Sequence, residues 1–277
     1  IEGNDIMDNH GWPNGGGIFA NATGLTIRNN LIYHNNASEW GGGLIVSGTG
    51  IEVTNNIIAR NYTSGGYYPN QGAGGILCYA ENAVIANNTI YSNSLHNIYA
   101  NANNVRITNN IIMSGYGTGV YGNLSTLLTY NNVSNYGYSA NYENCTPGIG
   151  SISEDSLFMM PDTGDGDPYN DDYHLQPGSP CIDAGDPAIA YNDKDGTRND
   201  MGVYGGLDAA TPAPRLLNVP QDYSTIQDAI DAAVSGDIVN VSAGTYHENI
   251  VLNKSGVTLK GDARQSIIEW NDSTVPA

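Results

Sequence analysis

The chain predicts an all-β solenoid, a stack of short coils that each contribute the same few β-strands. The first observation is a phrase written six times: aliphatic, two residues, Asn, one residue, aliphatic. Its copies are Ile1–Asn4–Ile6, Ile27–Asn30–Ile32, Val53–Asn56–Ile58, Ile85–Asn88–Ile90, Ile107–Asn110–Ile112 and, less cleanly, Leu128–Asn131–Val133. A fixed phrase recurring every 20–30 residues or so marks a repeat in which each copy forms one coil. The second observation is an apolar run that accompanies each phrase, often introduced by glycine: Ile18-Phe19-Ala20, Leu44-Ile45-Val46, Ile76-Leu77-Cys78, Asn97-Ile98-Tyr99 and Gly119-Val120-Tyr121. A third strand begins two residues before the phrase, at Leu25, Ile51 and Val105. Coils stacked in this way hold parallel strands about 4.8 Å apart. Helical periodicity is absent from this region.

Composition agrees. Glycine numbers 35 residues and only 13% of residues are charged, which suits a chain that turns every few residues, because Gly and Asn tolerate tight-turn backbone angles. Nine basic against 28 acidic residues give a formal charge of −19. That balance disfavours nucleic acid and anionic membrane surfaces as partners. No apolar run reaches the 18 or so residues that a membrane span needs. Three cysteines, Cys78, Cys145 and Cys181, show no metal spacing. Cys78 reads as a small core residue, and Cys145 and Cys181 are either bridged or free.

The Asn residues of the phrase, Asn4, Asn30, Asn56, Asn88, Asn110 and Asn131, read as a structural ladder. Their amides bond those above and below, and Asn suits the left-handed backbone of a sharp turn. A second ladder follows at Asn9, Asn35, Asn61 and Asn93. With these motifs residues 1–135 resemble the right-handed parallel β-helix repeats of pectate-lyase-like and periplasmic copper-maturation-type surface proteins.

The coils are expected over 1–145, followed by an acidic, turn-rich closing segment over 146–206 that covers the apolar end of the stack. It contains Asp162–Asp172 and the run Tyr173–Pro187, and resembles the segment that follows many bacterial and archaeal surface β-helix domains. Residues 207–217, with two prolines, read as a linker. Residues 218–277 resemble the opening of a β-helix, with one short capping helix near 224–234. Ser224 is its expected N-cap, and Gln227 completes a capping box. Ile1 lies inside a repeat, so the first coil is expected to be completed by upstream residues or by another chain. This order predicts head-to-tail stacking of residues 218–277 on the first coil of another copy, a heterologous contact that builds filaments.

Several constellations are candidates for chemistry. Asp8, His34 and Arg60 occupy the same place in three successive repeats. An acid, an imidazole and a guanidinium about 5 Å apart form a catalytic row or a solvated salt-bridge ladder. Trp12, Trp40, Tyr67 and Tyr68 lie in loops before the glycine runs and offer faces on which sugar rings stack. Asp162, Asp165 and Asp167, and Asp193, Asp195 and Asp200, supply oxygen ligands of the kind Ca²⁺ takes, though neither set matches a full calcium loop. Asn21, Asn36, Asn123 and Asn144 are candidate glycosylation sites off the ladder.

A lyase needs a base and cations to hold uronates, and a hydrolase two facing carboxylates. The coils carry only Arg28, Arg60 and Arg106, and no repeated carboxylate pair. The sequence therefore favours an extracellular or cell-surface structural subunit rather than an enzyme, assembling into a fibre, sheath or tandem array. The alternative is a carbohydrate-binding or polysaccharide-cleaving protein, a lyase or glycoside hydrolase, with glycans as partners.

Overall fold

A computed structural model describes the chain except residues 65–71, 114, 136–139, 162–163, 210–215, 234–235, 253, 255, 263–264 and 270–277. It divides into two units, Ile1–Ala210 and Thr211–Ala277.

In the first unit the phrase straddles a turn. Its first aliphatic lies on a strand such as Thr26–Arg28 and its second on the next strand, Leu31–Tyr33. The glycine-led run forms the third, Ile18–Thr23, Leu44–Thr49 or Ile76–Glu81. Coil upon coil, these strands build a five-stranded and two six-stranded sheets, with a short three-stranded one between. Every pairing among them is parallel and in register; Ile32, for example, faces Ile6 on one side and Ile58 on the other. The phrase aliphatics point inward: Ile27, Val53, Ile85 and Ile107 are fully buried, as are Ile32, Ile58, Ile90 and Ile112. Each such side chain contributes about 1.5–3 kcal/mol of burial.

Both asparagine ladders form. Asn30 Nδ2 donates to Asn56 Oδ1 at 2.9 Å, Asn56 to Asn88 at 2.9 Å, and Asn88 to Asn110 at 3.0 Å. The backbone N–H of each also donates to the same oxygen of the next coil, as from Asn56 to Asn88 Oδ1 at 3.0 Å. Buried amides are thereby satisfied coil by coil. The second ladder runs Asn9, Asn35, Asn61, Asn93 and ends on Asn97. The left-handed backbone lies elsewhere than expected. It belongs to the residue before the ladder, Asn29, Asn55, Asn87 and Asn109, with φ of 52–57°. The ladder residue must aim its amide along the stack, so its predecessor makes the turn.

Residues 156–209 do not simply cover the end of the stack. They run back along its flank, packing on the outer face of the sheet that holds Leu31–Tyr33 and Ile57–Ala59. Phe158, Tyr173, Cys181 and Met201 bury Tyr33, Ala59, Ile111 and Met113 there. That sheet is apolar on both faces, and its triplets Leu31-Ile32-Tyr33, Ile57-Ile58-Ala59 and Ile111-Ile112-Met113 show the continuous pattern that double burial requires. The left-handed asparagines hold the returning chain. Asn109 takes Asp186 and Gly202, Asn87 takes Asn199, Asp200 and Gly202, and Asn55 takes Val203 and Gly205. At the second coil, Asn29 donates to Asp208 O and Arg28 pairs with the Asp208 carboxylate at 3.3 Å.

Cys145 and Cys181 are free thiols in different layers, one packed against the coil interior and the other in the outer cluster with Asn132 and Ser156. No bridge joins them.

In the second unit, Leu216–Val219, Ile238–Val241 and Thr258–Gly261 pair in parallel, as do Gly244–His247 and Ser266–Glu269. The helix, Ile226–Ala232, buries Ile226, Ala229 and Ile230. Its cap is Thr225, whose side chain accepts from Asp228 N, rather than Ser224. The Glu248 carboxylate accepts from Ile226 N and Gln227 N at 3.0 and 3.1 Å, so no capping box is needed. The Gln227 amide reaches Asp231 and Val251 instead. No helix among the described residues is long and apolar enough to cross a membrane.

Candidate functional site

Each coil of the first unit makes a second sharp turn, just after the strand that carries the second aliphatic. Asp8, His34, Arg60 and Ser92 occupy that turn with φ of 54–55°. The left-handed region is costly for most side chains and least so for Gly, Asn, Asp and His. At the first turn four asparagines meet this demand; at the second an aspartate and an imidazole do, and Arg60 does so against its backbone preference.

The structure brings two members of the row into direct contact. His34 Nδ1 lies 2.8 Å from Asp8 Oδ1, both side chains about two-thirds exposed. An exposed pair of this kind contributes little to stability. Arg60, on the next coil, acts electrostatically on the hydroxyl of Tyr33. Tyr33 is 1% exposed, and its phenol is raised above the usual range, by burial first and against the opposing effect of Arg60.

A groove opens beside the row, lined by His34, Arg60, Tyr62, Ser92, Ser94 and Tyr116. It continues over the following coils past His96, Thr118 and Glu143, with Tyr62, Ser94 and Tyr116 shared by both stretches. Tyr116 and Tyr62 are 81% and 52% exposed. Thr118 Oγ1 donates to Glu143 Oε2 at 3.0 Å. The groove thus follows the stack, with aromatic faces, hydroxyls and one cation. None of Tyr62, Ser94, Tyr116 or Glu143 was singled out from sequence. Tyr62 follows the ladder residue Asn61 directly, a placement that could have found it, whereas Tyr116 sits in a glycine-rich turn without periodicity.

The other candidates are dispersed. Trp12 is 79% exposed, but Trp40 packs against the cluster of Ile45, Leu77 and Tyr99 and donates through Nε1 to Glu39. Tyr67, Tyr68 and Asp162 lie outside the described residues. The remaining aspartates accept from backbone N–H groups, Asp165, Asp167 and Asp195 within their own turns and Asp193 and Asp200 across the segment. Asp165 accepts from Asp167 N, Asp167 from Tyr169 N, Asp195 from Thr197 N, Asp193 from Asp200 N and Asp200 from Asp183 N. Among the described residues no group of three or more His, Cys, Asp or Glu converges on a point where a metal ion could sit. Burial, with Asp193, Asp183 and Asp195 adding repulsion, raises the Asp200 carboxyl to about 7. Asn21 and Asn144 are exposed and Asn36 half-buried. Asn123 is engaged at both ends of its amide, accepting from Ser125 N and donating to Ala102 O.

Residues 1–150 match the family model described as right handed beta helix region. No curated protein matches the chain. Among solved structures it is similar to a mutant of the PL6 family alginate lyase AlyGC, at 18% identity and a TM-score of 0.32. The similarity covers 89% of this chain and 38% of that one, so the chain spans well under half the length of the enzyme. The expectation of a non-enzymatic subunit is corrected here: a solved structure to which the chain is similar is that of an alginate lyase. At this identity the likeness extends to the fold, and any chemistry rests on the residues of the groove.

Proposed function

We propose, for a chain that belongs to the right-handed β-helix family, that the groove beside the second turn binds an extended acidic polysaccharide and cleaves it by elimination. The observation that carries this reading is the column Asp8–His34–Arg60, where a carboxylate, an imidazole and a guanidinium are held at φ of 54–55° beside an open groove. Unfavourable backbone of this kind clusters at functional sites.

The residues suggest roles. The Asp8 carboxylate occupies His34 Nδ1, which fixes the ring and leaves Nε2 to take a proton. That proton would come from the carbon next to a uronate carboxylate. Arg60, one coil on, offsets the charge of that carboxylate as it becomes enolate-like. The glycosidic C–O bond then breaks, a carbon–carbon double bond forms, and the proton passes from the imidazolium to the departing oxygen. Tyr62 and Tyr116 offer faces for the neighbouring rings. An extracellular or cell-surface setting, where such polysaccharides are met, is part of the same reading.

The test is incubation of the full chain with a panel of acidic and neutral polysaccharides, following the ultraviolet absorbance of the unsaturated product end. His34→Ala should lower turnover about 10²–10⁴-fold without changing the melting temperature. Neither binding nor cleavage by the natural sequence anywhere in an acidic panel would discard the reading.

A second reading, assembly of copies into a fibre or sheath, is favoured by one feature. The strands Asp5–Met7 and Ile18–Thr23 pair on one side only among the described residues, and such edges accept a further coil of the same kind, whichever chain supplies it. Concentration-dependent sedimentation of the purified chain tests it, and a monomer at all concentrations counts against it.

A further inference from the structure

A second pocket, of about 650 Å³, opens in the first unit at the far end of the strand Val120–Tyr121. It begins where the groove stops. The groove ends on Thr118 and Glu143, with the Glu143 carboxylate turned to Thr118 Oγ1 at 3.0 Å. The pocket is lined from Tyr121 onward, and by Asn144, Cys145 and Thr146 of the following coil. None of its lining residues is charged, in a chain of net charge −19. The Tyr121 ring is held by stacking on Tyr99, with centroids 4.5 Å and planes 5° apart. Asn123 fixes the neighbouring turn, accepting from Ser125 N and donating to Ala102 O, both at 2.9 Å. That turn holds Leu124 fully exposed at the rim. Beside ring and leucine stand Asn101, Asn144 and Thr146, exposed residues whose side chains make no hydrogen bond among the described residues.

We infer that this pocket is a second binding site, and that its ligand is a short neutral saccharide. Pockets of a few hundred to roughly a thousand Å³ hold small ligands. What the lining can pair with selects the class. Carboxamides and hydroxyls both donate and accept, as sugar hydroxyls do, and an aromatic ring with an aliphatic side chain suits the C–H face of a sugar. An ionised ligand would find no countercharge here. A wholly apolar one would cover Asn101 and Asn144 without pairing them. Ring and turn are already fixed, so little ordering opposes binding. The inference goes beyond the reading of the groove, with which the pocket shares no lining residue.

Cys145 supplies the test. It is half-buried and lines the pocket, whereas Cys78 and Cys181 are buried. The full chain, made in a host that does not glycosylate asparagine, is treated with a chromogenic thiol reagent. Mildly alkaline pH is used because burial raises the Cys145 thiol. Loss of the fast labelling phase in Cys145→Ser assigns it. Neutral tetrasaccharides of glucan, mannan and galactan are then titrated against the labelling rate. At least one should slow it saturably, by about tenfold at ten times its dissociation constant, and tetragalacturonate should not. Asn144→Gly removes the amide at a backbone φ of 54° that glycine accepts. Combined with Asn101→Ala it should raise the dissociation constant about tenfold, and Asn101→Ala alone decides if the pair does not fold. Labelling that no neutral sugar slows overturns the site. Equal slowing by tetragalacturonate, or slowing by naphthalene alone, overturns the saccharide class. His34→Ala should be protected as the natural sequence is, so absence of polysaccharide turnover leaves this site standing, and absence of protection leaves the groove reading untouched.

Discussion

The two sharp turns of each coil have the same backbone and opposite fates. At the first, Asn29, Asn55, Asn87 and Asn109 take φ of 52–57°; at the second, Asp8, His34, Arg60 and Ser92 take 54–55°. The first column is asparagine on four successive coils, flanked by Gly3 and Tyr130 on the same left-handed backbone, and its amides are spent on the returning chain at Val203, Asp200, Gly202 and Asp208. The second is varied, charged and open to a groove. Where only geometry is required, the residue that meets it at least cost recurs. Departure from that residue on the same backbone is therefore informative, and it occurs on the face that carries the proposed site.

Substitutions can break the comparison or sharpen it. The largest effect on stability should come from the ladder just inside the first turn. Asn88→Ala leaves the Asn56 N–H without its acceptor, takes one of three acceptors from Asn56 Nδ2 and removes donations to Val53 O, Ala86 O and Asn110 Oδ1. Unsatisfied buried groups of this kind cost roughly 3–5 kcal/mol together, readable as a lower denaturation midpoint. Its neighbour Asn87→Ala should cost only about 2 kcal/mol, but should expose residues 199–203 to protease well below the global transition. Equal losses in the two variants, with no local cleavage, would erase the distinction between ladder and strap.

A middle-sized effect belongs to Asp200, on the returning chain. Burial raises its carboxyl to about 7, so the folded state prefers it protonated. The sign follows: the penalty is absent below pH of about 4, where the carboxyl is neutral folded or unfolded. It grows as pH rises toward 7 and is complete above it. Asp200→Asn should therefore stabilise the protein by about 2 kcal/mol at pH 8 and leave it unchanged near pH 4. A difference independent of pH would show that Asp200 acts through shape alone.

The smallest effect is the most direct test of the comparison. Arg60→Asn puts at the second turn the residue that serves the first, and should raise stability by about 0.5–1 kcal/mol while removing polysaccharide turnover. Loss of stability instead would mean that Arg60 is held for its packing.

The interior of the solenoid was legible because each aliphatic of the repeated phrase is buried by its equivalents above and below, which forces the phrase to recur. The ladders were legible for the same reason. The left-handed turn was assigned one residue too late, although the doubled asparagines Asn29-Asn30, Asn55-Asn56, Asn87-Asn88 and Asn109-Asn110 divide the two tasks between them. The outer layer was harder to read. Tyr33 and Ala59 are buried by residues more than a hundred positions away, and nothing local in the returning chain identifies its target. Of the site, the row Asp8–His34–Arg60 was visible through its register. Tyr62 and Tyr116 were not, because loop residues that line a groove follow no period.

The ladders also have a direction. In every step both the side-chain and the backbone N–H point from one coil to the amide oxygen of the next. Aligned amides polarise one another along such a chain, so the stack carries an electrical polarity, with oxygens presented toward the first coil and N–H groups toward the last. A body that docks at one end meets acceptors, and at the other donors. An inverted partner would bring like groups together, so the solenoid distinguishes its two ends by chemistry as well as by shape.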